Sequence, residues 1–334
     1  MERIDAHAHY MADHPEAIAL LDSFHVKLLN VCVAPGGDAD QRRSRAKACR
    51  AFQALSCEDP EHFAWCTTFE PPGIVETGYD DPTYVDRVIA ILARDLAAGA
   101  VGCKFWKNIG MGLRKPDGSF LMIDDPIFDP IYIYLTRKGQ PALMHIAEPL
   151  ACWRSLDWDS PHRDYYKARP EWHMYTKPDH PSHEQLMDVR DRVLARHPDL
   201  RVIGAHLGSL EFDVAQVAQR LERYANFAVD TSARLGDLAR QDSAIVRQFV
   251  IDYQDRILWG TDIVQREPVS GMDELSRRRH LAAIRGRYQT EFTYYETGNR
   301  MEFQGRGVQC LGLPDSVLRK LYYDNARTWF PGLA

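Results

Sequence analysis

No stretch of this 334-residue chain approaches the run of apolar residues, about 20 long, that a membrane span needs. The most apolar early segment, Ala17 to Ala34, is broken by Asp22, His25 and Lys27. The opening Met1-Glu2-Arg3-Ile4-Asp5 has no basic segment leading into an apolar one, so neither an anchor nor a secretory leader is expected. Basic runs are equally scarce: the longest is Arg277-Arg278-Arg279, in a chain with 41 Lys and Arg against 47 Asp and Glu and a net charge of −6. That balance gives nucleic acid little electrostatic footprint. The seven cysteines (Cys32, Cys49, Cys57, Cys66, Cys103, Cys152, Cys310) are an odd, scattered set without a C-x-x-C pair, which suits free thiols in the cytoplasm better than a disulfide framework or zinc ribbon. A G-x-G-x-x-G turn after the first strand, a P-loop, a G-x-S-x-G elbow and an H-E-x-x-H helix are all missing. Dinucleotide, nucleotide-phosphate, serine-hydrolase and zincin chemistries therefore lose their usual signatures.

With 45% hydrophobic and 26% charged residues the chain can bury a large core, which excludes disordered and fibrous classes. Its dominant feature is a rhythm. Short β-branched or apolar runs fall at Arg3 to His9, Val26 to Val33, His62 to Phe69, Ala100 to Trp106, Pro141 to Ala147, Leu200 to His206, Phe227 to Thr231 and Arg256 to Thr261. Between them lie helical stripes such as Val85, Val88, Ile89, Leu92 and Leu96; Leu186, Val189 and Val193; Val214, Val217 and Leu221; and Ile245, Val246, Phe249 and Val250. Eight strands alternating with helices predict a (β/α)₈ barrel, an α/β fold, with an open doubly wound sheet as the alternative. One domain spanning 1–334 is expected, with long loops at 108–125, 148–183 and 263–313 on the strands' C-terminal side. The 148–183 loop, rich in aromatic residues and proline, reads as a lid or as a loop packing its own small core.

His7-Ala8-His9 closes the first strand, and side chains two apart on a strand share a face. Alone the pair could be two surface histidines. The fifth strand, however, ends in His145, the sixth in His206 and the eighth in Asp262. Residues at the C-terminal tips of barrel strands converge on one point, and imidazoles with a carboxylate suit Zn²⁺ or another borderline divalent ion with a position left for water.

With these residues in place the chain resembles the amidohydrolase superfamily of metal-dependent barrels, and within it the amidohydrolase-related group of small hydrolases, lactonases and nonoxidative decarboxylases. Ile4-Asp5-Ala6-His7-Ala8-His9, His145, Gly204-Ala205-His206-Leu207-Gly208, Trp259-Gly260-Thr261-Asp262 and Asp324-Asn325-Ala326-Arg327 carry the resemblance. It implies that His7, His9, His145 and Asp262 hold the metal, with His206 either an acid–base residue or a ligand of a second ion. It also implies two roles for Lys104: a carbamylated bridge between two ions, or a point charge for a substrate anion. One ion is the expectation. Asp262 is the expected base, and His206 the group that stabilises the oxyanion or passes a proton. Glu148, Trp153, Trp158 and Tyr165 are candidate substrate contacts. Asp5, by parity, is expected to support an imidazole. Lys107, at odd spacing from Lys104, is expected to face away, and Arg163, Arg169, His173 and His180 are weaker candidates for gripping a carboxylate. The expected reaction is hydrolysis of a small amide, lactone or ester; decarboxylation of an aromatic or enoic acid is the alternative, and a non-catalytic binding barrel a third reading. A small molecule is the expected partner, acted on by a monomer or homo-oligomer, with no nucleic acid and no membrane involved.

Overall fold

The computed structural model describes residues 1–34, 36, 39–72, 79 and 81–333. Strands β1 (Arg3–Tyr10), β2 (Val26–Val31), β3 (Phe63–Thr68), β4 (Cys103–Phe105), β5 (Ala142–Met144), β6 (Val202–Gly204), β7 (Phe227–Asp230) and β8 (Ile257–Leu258) alternate with helices, and a short β9 (Val264–Gln265) follows. The order in the sheet is β8-β7-β6-β5-β4-β3-β2-β1-β9, every pairing parallel. β9 continues the path of β8. Ala6 N–H donates to Trp259 O at 3.0 Å, Asp262 N–H to His7 O at 2.7 Å and His9 N–H to Ile263 O at 2.8 Å, so the eighth strand's continuation lies against the first and the sheet closes on itself. This is the (β/α)₈ barrel; the open sheet is excluded by that closure.

The crossover helices form where apolar stripes meet a capping residue. In Val214–Arg223 the buried side chains are Val214, Val217 and Leu221, one face of a helix, and the Asp213 carboxylate accepts from Ala215 N–H at its start. Ser182 opens His183–Arg196 with a capping box to Gln185. The 263–313 connection departs from its expectation as a long loop, because it contains the 23-residue helix Glu274–Glu296 and an antiparallel hairpin, β10 (Arg300–Phe303) with β11 (Arg306–Gln309). Its buried side chains begin only at Ile284, and the arginine-rich first half, facing solvent, hides the helical stripe from the sequence.

Strand residues alternate between two apolar layers. Leu28, Cys103, Ala142, Met144, Val202, Phe227, Val229 and Ile257 pack outward under the helices. Leu29, Val31, Ala64, Cys66, Leu143, Ile203, Ala228 and Leu258 pack inward as one cluster, closed from below by Trp329, Phe330 and Leu333. β1 obeys this alternation only with a correction. Ile4 and Ala6 belong to the inward cluster, while Ala8 and Tyr10, of the same parity, belong to the outward one. The reason is a bulge: Asp5 pairs with Leu28 and Ala8 with Asn30, so β1 holds one extra residue and changes phase. Above the bulge His7 and His9 face the lumen. No helix among the described residues is long and apolar enough to cross a membrane.

Candidate metal centre

Inward parity at the mouth belongs to His7 and His9 on β1, Lys104 on β4, His145 one residue past β5, and Asp230 on β7. Two tight turns add the remainder. After β6 the chain runs through left-handed backbone at His206 (φ 60), Leu207 (φ 58), Gly208 (φ 63) and Ser209 (φ 60), and after β8 Asp262 adopts φ 57. Non-glycine residues in this region cost about 1 kcal/mol each and gather at functional sites. Gly204 permits the first turn, since a Cβ there would lie 2.7 Å from the Phe227 ring and 2.8 Å from Gly208 Cα.

Hydrogen bonds fix how each imidazole presents itself. His7 Nδ1 lies 2.9 Å from Asp230 Oδ2 and 3.0 Å from Ser232 Oγ. His9 Nδ1 donates to Val31 O at 2.6 Å, and His206 Nδ1 to Ser232 O at 2.8 Å. Three rings thus have Nδ1 engaged by protein, the arrangement that leaves Nε2 for a metal. His9 Nε2 is 3.3 Å from Asp262 Oδ1, and Lys104 Nζ is 3.2 Å from His7 Nε2. The His145 ring sits 4.3 Å from that of His206, and its buried Nε2 has no hydrogen-bond partner among the described residues. Asp230 organises the group from behind: Oδ1 accepts from His206 N–H at 2.8 Å and from Ser232 N–H at 3.1 Å.

Burial sets the protonation. It drives the His145 and His206 imidazoles well below the ordinary histidine range, and His9 to about 4 although Asp262 opposes it. Burial also works to raise Asp262, but the hydrogen bond from His9 and the charges of His206, His7 and His9 outweigh it and hold the carboxyl well below its usual range. Lys104 is drawn down by burial to about 8, with Asp230 and Asp262 resisting. Neutral imidazoles beside an ionised carboxylate are the forms in which these groups bind metal. Ligand atoms of His7, His9 and Asp262 lie within 4.8 Å of one another, as do those of His7, His206 and Asp230.

His7, His9, His145, His206, Lys104 and Asp262 therefore meet at one place. Two parity expectations are corrected. Asp5 lies below the β1 bulge and turns outward, where its carboxylate takes Thr261 N–H at 2.9 Å and the Thr261 hydroxyl rather than an imidazole, and burial raises it to about 7. Lys107 does face the site: β4 ends at Phe105, the backbone turns helical at Lys107, and its buried ammonium forms an ion pair with Glu148. Tyr165 reaches this pair, its OH 3.5 Å from Glu148 Oε1. Trp153 does not; it donates to Pro181 O and packs on His183. Trp158 is exposed, Arg163 and His173 bond backbone of their own loop, Arg169 pairs with Glu171, and the His180 ring packs on Phe120 of the 108–125 segment.

Sequence reasoning missed Asp230, Ser232, Arg234, Tyr166, Trp106 and Trp172. Asp230 had a signal, an acid at the tip of the seventh strand. Arg234 is 6% exposed, its Nε has no partner among the described residues, and its charge is felt at His145, His206 and Lys107.

Comparison with known proteins follows the same lines. The fold resembles that of a 5-carboxyvanillate decarboxylase from Sphingomonas paucimobilis (18% identity, 94% of this chain and 82% of that one, TM-score 0.53). It also resembles a 4-oxalomesaconate hydratase from Rhodopseudomonas palustris (13%, 96% and 80%, TM-score 0.51) and an amidohydrolase from Burkholderia multivorans (12%, 99% and 99%, TM-score 0.51). At such identities the likeness concerns fold alone. No curated protein matches the sequence. The amidohydrolase family model, however, matches residues 4–332, and with the barrel and its histidine-lined mouth this establishes that the chain belongs to the amidohydrolase family.

Proposed function

We propose that this protein is a metal-dependent hydrolase that opens a small amide, lactone or ester. One observation carries the reading: imidazoles from three strand ends face a common space with Asp262, and the Nδ1 atoms of His7, His9 and His206 are held from behind. The donor set fits a divalent ion on the protein's own terms, since His145 Nε2 is a buried polar atom with no hydrogen-bond partner among the described residues and neutral imidazoles with one carboxylate suit Zn²⁺. His7, His9, His145 and Asp262 would hold one ion. Bound there, it would supply Lewis acidity and lower the pKa of a water toward about 7.

The chain's own residues do the remaining work. Asp262, kept ionised, takes the proton of the attacking water. His206, kept neutral by burial and with its Nδ1–H given to Ser232 O, accepts that proton at its free Nε2 and relays it to the leaving group, help worth about 10² to 10⁴ in rate. The Lys104 ammonium, 3.2 Å from His7 Nε2, would attract an anionic oxygen of the substrate by its charge, and in a carbamylated form it would instead help hold a second ion with His145 and His206. A reducing cytoplasm suits the seven free cysteines.

The alternative, decarboxylation of an aromatic or enoic acid, draws support from the cations Lys104, Lys107 and Arg234 around His145. A single experiment separates the two: protein loaded with Zn²⁺ or Mn²⁺ is screened against lactones, esters, amides and aromatic and enoic acids, with product analysis. Hydrolysis products support the hydrolase. Release of CO₂ without hydrolysis replaces it with the decarboxylase, and the absence of turnover with either metal refutes both.

A further inference from the structure

Lys107 and Glu148 form an ion pair in a dry place. Both are buried, at 5% and 4% exposure, and they join the turn after β4 to the start of the 148–183 segment. Such a pair is a poor stabilising device, because removing two charges from water offsets most of their attraction, and apolar replacements of similar volume are commonly as stable. Its surroundings suggest another use.

Glu148 is held independently of the lysine. Tyr166 OH donates to Oε2 at 3.2 Å, and Tyr165 OH stands 3.5 Å from Oε1. Lys107 is held less completely. An ammonium has three N–H donors. Glu148 takes one, the Trp172 ring lies 4.3 Å from Nζ and receives the cation on its face, and no other acceptor is bonded to Nζ among the described residues. Trp106 and Tyr165 complete the box, with ring centroids 5.4 and 6.0 Å from Nζ. Positive charge gathers at His145 beside this box: Lys107, Lys104 and Arg234 all act on its buried imidazole, while Asp230 is engaged by His7 and Asp262 by His9.

We infer that Lys107, aimed by Glu148, selects a planar substrate carrying a carboxylate, which it binds beside the metal centre within the box of Trp106, Trp172 and Tyr165. Lys107 is the specificity-determining residue, and Glu148 a positioning residue acting through it. The inference rests on the metal-dependent reading of this site and names its substrate class: a small aromatic or conjugated carboxylate, with the aromatic walls taking the ring and the ammonium the charge.

The test measures binding of two probes of one shape, benzoate and benzamide, to the metal-loaded full chain by titration calorimetry. Wild type is expected to prefer benzoate. Lys107→Met weakens benzoate by about 10- to 100-fold, as loss of a hydrogen bond to a charged group does, and leaves benzamide unchanged. Lys107→Arg keeps the preference, Glu148→Gln reduces it and Glu148→Asp restores part of it. Should Lys107→Met fold poorly, the double change Lys107→Met/Glu148→Leu removes both charges at once and is expected to lose benzoate while retaining benzamide. Equal weakening of both probes makes the pair a clasp between two loops and overturns the inference. So does a wild type that binds benzamide as tightly as benzoate, or binds neither. Failure of the hydrolase reading shows separately, as absence of turnover in the substrate screen whatever the benzoate preference.

Discussion

Two residues separate the floor of the barrel from its mouth. Leu143 packs in the floor and His145 stands at the mouth; Ala228 packs in the floor and Asp230 at the mouth. The floor is apolar throughout and sealed by Trp329, Phe330 and Leu333, whereas the mouth is polar and cross-linked by hydrogen bonds from strand to strand. Strands that supply both layers divide the labour along their length. The floor holds the eight strand ends at fixed spacing without any polar demand, and that rigidity lets imidazoles from different strands meet within a few ångströms. Damage to the two layers should therefore look different.

The sharpest contrast uses the mouth alone. His7→Ala should lose bound metal and all metal-dependent turnover, whereas His206→Asn should keep its metal while kcat falls by about 10² to 10⁴. Elemental analysis beside steady-state kinetics decides; a His206→Asn protein that loses metal in step with activity would place this ring in the coordination shell and make Lys104 a bridge. On the floor, Phe330→Ala should cost about 3 to 5 kcal/mol in chemical denaturation, as a large core truncation does, while the folded fraction retains its metal and turnover. Metal loss in that variant would abolish the division of labour.

Asp230→Asn tests the support behind His7. It should weaken metal binding by about 10- to 100-fold without abolishing it, read by competition with a chelator. The smallest effect concerns pH. His9, His145 and His206 have folded-state pKa values below their unfolded value near 6.5, so the unfolded chain binds more protons and metal-free protein loses stability as pH falls below about 6.5, the loss continuing to about 4 where His9 titrates. Buried His183, also lowered to about 4, adds to this, while Asp5 and Glu211, both raised to about 7, act in the opposite sense and weaken the protein as pH rises through that range. Lowered histidines, His162 among them, outnumber the raised groups, so the melting temperature of metal-free protein should be lower at about pH 5 than at about pH 7.5. No drop would mean that the imidazoles are solvated when metal is absent.

The strands were legible because each is buried on both faces and reads as a short apolar run; all eight fall within a few residues of their sequence positions. His7, His9, His145, His206 and Asp262 were legible because ligand types sit at strand ends, where the fold brings them together. Parity failed where the backbone left the strand. Lys107 lies two residues beyond β4, so its spacing from Lys104 says nothing about direction. Asp5 lies across the bulge, and no local property of Arg3-Ile4-Asp5-Ala6 announces an extra residue. The aromatic box was not legible for another reason: Trp106 and Trp172 come from two segments, and only the folded chain places them around one ammonium.

The bulge in β1 also bears on how this site could arise or vanish. A strand assigns each residue to one side or the other, and a single insertion inverts every later assignment at the expense of one unpaired position. Here that inversion turns two histidines from the helix-facing side into the lumen, yet leaves Ile4 and Ala6 packed in the floor beneath them. Shortening the strand by one residue at Ala6 would remove the bulge and leave His7 and His9 in the lumen, since Ala8 would still pair with Asn30, whereas pairing the strand at its full length without the bulge would turn the same His-x-His text toward the helices. For this barrel, the difference between holding and lacking a metal centre can be a change of strand register rather than of residue type.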